Sequence, residues 1–71
     1  MNPAEFKEAR HTLGLTLSQA ARLLGYEGEH AMQQVRKMES GDRAIRGPQV
    51  RLMRAYLDGY RPKDWPDSAA Q

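Results

Sequence analysis

Gln33, Gln34, Arg36 and Lys37 lie within a single run of the 71-residue chain. Their side chains offer two amides that each donate and accept, together with two positive charges that only donate. This is chemistry for recognising a polar, anionic surface, not for breaking a bond. Arg43 and Arg46 follow shortly after, then Arg51 and Arg54, while Glu39 and Asp42 are the only acids between Gln33 and Arg54. That block carries +4 within a chain of net charge +2, so the rest carries −2. The modest overall charge hides a concentrated basic segment of the kind that meets nucleic acid.

Other chemistries are not set up. The chain has no cysteine, and its two histidines, His11 and His30, are nineteen positions apart with no carboxylates gathered around them, so neither a metal site nor a cofactor is expected. No nucleophile, base and orienting group stand at meaningful spacing, and no glycine-rich phosphate loop follows a strand, so the chain is not expected to be an enzyme or to take a small-molecule substrate. Mean hydropathy is −0.82. Apolar stretches such as Ala20-Ala21 and Leu23-Leu24 fall far short of the ~20 residues of a membrane span. With no basic-then-apolar leader after Met1, a cytoplasmic location is expected.

The elements that must position the polar cluster are helical. Asn2 as N-cap, Pro3 in the first turn and Glu5 three residues after the cap predict a helix to about Leu13, with Phe6, Ala9 and Leu13 inward and Lys7, Arg10 and His11 on the flanks. Thr16 and Gln19 form a second capping box. The helix they open, of about eight or nine residues, turns Leu17, Ala21 and Leu24 inward, flanked by Ala20 and Leu23, and stops at Gly25. A glycine-containing turn leads to a third helix from His30 to Glu39. There Ala31, Val35 and Met38 make the inward stripe, which leaves His30, Gln33, Arg36 and Lys37 outward and Gln34 and Met32 on the shoulders. Gly47-Pro48 opens a fourth helix to about Asp58, with Val50, Met53 and Leu57 inward beside Leu52 and Tyr56. The expectation is an all-α, compact four-helix domain over residues 1–59 that contains a helix-turn-helix, with a short extended C-terminal tail over 60–71.

Two short helices joined by a turn, the second bearing Gln, Arg and Lys outward and followed by a basic loop, suit entry into the major groove of DNA. The stretches FKEARHTLGLTLSQAARLLG, VRKMESGDRAI and PQVRLMRAYLDG occur in the order of the Cro/CI (XRE-type) helix-turn-helix repressors of phage and bacteria, and residues 2–59 resemble that family. The resemblance implies that the third helix recognises the operator. It places Gln33 and Lys37 at positions that commonly meet base edges and Arg43 at one that meets phosphate. Here about four additional residues, roughly Tyr26 to Glu29, precede the third helix. Leu17 stands where many members have a glutamine that touches phosphate and braces the recognition helix, so that role is either absent or moved to Ser18 or Gln19.

The expected function is therefore sequence-specific binding of double-stranded DNA by a transcriptional regulator, a repressor or autoregulator acting as a homodimer on an inverted repeat. Gln33, Gln34, Arg36 and Lys37 are the candidate base contacts, and Arg43, Arg46, Ser18, Gln19 and His30 the candidate phosphate contacts. Tyr60 and Trp65 either fold back on the small core or, with Leu57, anchor a second subunit. The competing expectation is a protein-interaction module, antitoxin-like or sigma-factor-associated, that turns the same basic face to an acidic partner. The polar stripe could also be a merely solvated face, Glu39 a structural partner of a basic neighbour, and the methionines core filler.

Overall fold

Both capping boxes form as their residue types dictate. In the computed structural model, which describes residues 1–66, Glu5 N–H donates to Asn2 Oδ1 at 2.8 Å and Asn2 N–H to Glu5 Oε1 at 2.9 Å. Gln19 N–H donates to Thr16 Oγ1 at 3.1 Å and Thr16 N–H to Gln19 Oε1 at 2.9 Å. Each box satisfies donors that a helix start would otherwise strand. They open α1 (Pro3–Thr12) and α2 (Leu17–Leu23), which are followed by α3 (Ala31–Ser40) and α4 (Gly47–Leu57). At seven residues α2 is shorter than expected, with Leu24 as its cap. His30 is the cap of α3, not its first residue, and makes no side-chain capping bond. Among the described residues there is no strand, and none of the helices is long and apolar enough to cross a membrane.

The core gathers Phe6, Ala9, Leu13, Leu15, Ala20, Ala21, Val35, Met38, Met53 and Tyr56. α2 packs on α3, and α1 packs on both α3 and α4. Phe6, Val35, Met38 and Met53 are wholly buried, each contributing about 1.5–3 kcal/mol of transfer free energy. The α2 face holds the expected residues, and the α4 face departs from expectation at Leu57. On α2 the centre of contact is the alanine pair, and Leu17, Leu23 and Leu24 are half-buried at its rim, because small side chains let a short helix lie close to its neighbour. On α4 the buried residues are Met53 and Tyr56, with Val50 and Leu52 half-buried beside them, and Leu57 is exposed at 43%. Gln49 is half-buried at the start of the helix, its oxygen and its nitrogen each bonded once.

Arg10, expected on a flank, is buried. Its Nε donates to Glu39 Oε2 at 2.6 Å and its Nη2 to Glu39 Oε1 at 3.2 Å, while Nη1 donates to the Leu15 carbonyl at 2.9 Å. The bidentate pair ties α1 to the last turn of α3 and explains how a charge is carried at the edge of the core.

Beyond α4 the chain folds back. Arg61 Nη1 donates to the Tyr56 and Tyr60 carbonyls at 2.7 and 2.9 Å, capping the end of α4 with a positive charge. The same guanidinium lies 4.3 Å over the Trp65 ring, which meets Tyr56 edge-on at 5.1 Å. Trp65 therefore takes the fold-back alternative. Its indole Nε1 is buried with no hydrogen-bond partner among the described residues. Residues 67–71 of the expected tail lie outside the described residues.

Candidate nucleic-acid interface

Val35 and Met38 are at 0% exposure on the inner side of α3, and that burial fixes the rotation of the whole helix. Gln33, Arg36 and Lys37 are thereby turned outward and exposed. Among the described residues none of these three side chains has a hydrogen-bond or ion-pair partner. Two donors of fixed charge and one uncommitted amide thus share a face, their valences open to whatever docks there.

Gly41 places the next basic residues. Its φ of 89° lies in the left-handed region that a side chain disfavours. The turn lets the Lys37 carbonyl accept from Asp42 N–H at 2.9 Å and from Arg43 N–H at 3.2 Å. The loop after α3 is thereby folded back beside it. Arg43 is half-buried, donating from Nη1 to Gln34 Oε1 at 2.6 Å with its guanidinium 5.3 Å from the centre of the Tyr26 ring.

Tyr26 in turn is fixed by α4. Its hydroxyl accepts from Gln49 Nε2 at 2.6 Å, and Gln49 Oε1 accepts from Arg46 N–H at 3.0 Å. Arg46 closes no reciprocal capping bond because a guanidinium has no acceptor, and its side chain stays exposed. One chain of contacts therefore joins α3, the loop after it, the connection before it and the start of α4.

The other nominated residues are spread around this centre. Ser18 is exposed in the first turn of α2, and Gln19 is half-buried and engaged in the Thr16 cap. His30 sits exposed at the start of α3, its Nε2 3.6 Å from Glu29 Oε1. An open hollow of about 770 Å³ separates α2 from the connection to α3, lined by Ser18, Arg22, Tyr26, Glu27, Glu29 and Met32 among others. Its carboxylates oppose any anion that approaches there. Glu39, by contrast, is withdrawn from the surface by Arg10, so the basic face loses little to it.

Leu57 and Tyr60 are exposed at 43% and 55%, at the opposite end of α4 from Gln49. Tyr60 stacks on Tyr56 at 6.0 Å. Trp65 belongs to the same aromatic group but is half-buried within the chain and offers little as an anchor for a second copy. Burial, reinforced by the charges of Asp64 and Tyr60, raises the Tyr56 phenol above its ordinary 10.0.

Sequence reasoning missed Tyr26, Gln49 and Arg10. A tyrosine inside a turn of glycines and glutamates was the available signal for the first, and a charge at the spacing of a buried stripe for the last. For Gln49 the bond to Arg46 N–H is local, but the bond to Tyr26, 23 residues away, left no mark in the sequence. No protein-family model matches the chain, and neither a curated protein nor a solved structure matches it significantly.

Proposed function

We propose that the chain is a sequence-specific double-stranded DNA-binding regulator that sets α3 in the major groove, in the manner of the Cro/CI repressors its sequence resembles. The observation that carries this reading is the exposed set Gln33, Arg36 and Lys37, unpartnered among the described residues, on a helix whose opposite side buries Val35 and Met38. A surface helix could bear such a face merely for solvation, but solvation does not require Arg43 to be drawn beside it by a left-handed turn. Gln33 is assigned to a base edge, Lys37 and Arg36 to bases or phosphates, and Arg46 and Ser18 to phosphates. The reading includes a homodimer that spaces two α3 copies about 34 Å apart on an inverted repeat, with Leu57 and Tyr60 as candidate contacts. It places the protein in the cytoplasm, acting as a repressor or autoregulator with no catalytic step.

Selection from a random duplex library, followed by titration of the winner against scrambled DNA at several salt concentrations, tests it. The selected duplex should bind roughly a thousandfold or more tightly than random DNA, with affinity falling steeply as salt rises. Gln33→Ala should relax one position by ~1–3 kcal/mol, whereas Arg46→Ala should weaken all duplexes alike and reduce the salt slope by about one. Uniformly weak binding to every duplex would instead point the basic face at an acidic protein.

A further inference from the structure

Two adjacent glutamines on α3 are not equivalent. Gln33 is exposed with its amide uncommitted among the described residues, so it can turn either way and offer donor and acceptor together. Gln34 is half-buried, and its Oε1 accepts from Arg43 Nη1 at 2.6 Å. The orientation of that amide follows from chemistry: a guanidinium only donates, so the atom facing it must be the oxygen. Arg43 cannot readily swing away, because its guanidinium rests against Tyr26, which Gln49 fixes from α4.

We propose that Arg43, seated on Tyr26, is a specificity-setting residue: by binding one lone pair of the Gln34 oxygen it fixes that amide with its oxygen toward the loop and its NH2 toward the major groove, so Gln34 selects guanine. This rests on the DNA-binding reading above. Guanine shows two neighbouring acceptors, N7 and O6, which one NH2 can serve together. Adenine sets its N6 amine beside N7, opposing a second donor, and cytosine shows only an amine. Thymine has a single acceptor, O4, beside a methyl group. A free glutamine prefers adenine, matching donor to N7 and acceptor to N6; Gln33 retains that choice, and Gln34 has lost it. Arg43 keeps its remaining N–H groups for phosphate, so one side chain both anchors the loop and sets the polarity of its neighbour.

The test is selection from a random duplex library with the full chain and its variants, each checked for native helicity. Gln34→Ala locates the base step belonging to Gln34 as the position where preference flattens. At that step the unaltered protein should favour guanine over adenine by about tenfold. Arg43→Met keeps an aliphatic stem against Tyr26 but removes every donor. It should bring guanine and adenine to near parity there, while preferences elsewhere hold. Gln34→Glu reaches the same point independently of Arg43→Met: it still accepts from Arg43 but has no NH2, so guanine should be lost and cytosine gained. Guanine retained in Arg43→Met, or no position altered by Gln34→Ala, overturns the proposal while leaving DNA binding intact. A chain that selects no sequence at all overturns the DNA-binding reading and this inference with it.

Discussion

Arg10 spends its guanidinium on Glu39 and the Leu15 carbonyl at only 9% exposure. A buried ion pair contributes little over an apolar pair of similar volume, yet removing one member strands the other charge. Arg10→Ala or Glu39→Ala should therefore cost ~3–5 kcal/mol, and Arg10→Met combined with Glu39→Leu should cost much less than either. Urea unfolding of the three proteins checks this. A double variant as unstable as Arg10→Ala, beside a Glu39→Ala that costs little, would mean that the Leu15 contact, not the ion pair, is what matters. Tyr56 supplies a pH dependence of opposite character. Its phenol is raised above 10.0 chiefly by burial, so the folded state holds the proton more tightly than the unfolded chain. The resulting stability is fully present below the unfolded value and is lost as pH rises through the folded one. The stability difference between the unaltered protein and Tyr56→Phe should be constant below about pH 9 and change above 10. Denaturant titrations across that range measure it, and parallel curves would exclude Tyr56 as the source.

The longest irregular connection between helices among the described residues spans residues 24–30. It supplies Tyr26 to seat Arg43, and it carries Glu27 and Glu29 exposed beside the start of α3. Carboxylates at a helix N-terminus are locally favourable, but beside a phosphate backbone they repel. On the proposed DNA-binding reading, Glu27→Gln with Glu29→Gln should therefore raise affinity for specific and random duplexes alike by several-fold at low salt, the gain shrinking as salt screens it. Binding isotherms at two ionic strengths decide the matter, and a gain confined to one sequence would make these residues base readers. The caps of α1 and α2 were legible because each is a local bond between residues three apart. The close crossing over α2 was legible too, from its adjacent alanines, whereas which of its side chains sit deepest is set by how closely α3 approaches.

Across the whole molecule, the four helices could be read from caps, breakers and periodicity together, and the outward set on α3 from periodicity, because Val35 and Met38 leave a single rotation open to that helix. Glu39 is expected to hold a basic neighbour and Trp65 to fold back or anchor a second copy; what escaped were the partners themselves, Arg10 for Glu39, Tyr26 for Gln49 and Tyr56 for Trp65. Each depends on where another helix arrives, which no window of sequence contains. A small chain must draw stability from such contacts, since a core of this size offsets its ordering entropy only narrowly. The return of residues 60–66 over α4 is one of them, and its ring stack has a practical corollary. Trp65 is the only tryptophan, and it sits edge-on to Tyr56 under the Arg61 guanidinium. The protein thus contains its own optical label: indole emission and energy transfer from neighbouring phenols report whether the returning segment is seated, and can be followed beside helicity to show whether that segment leaves before the helices melt.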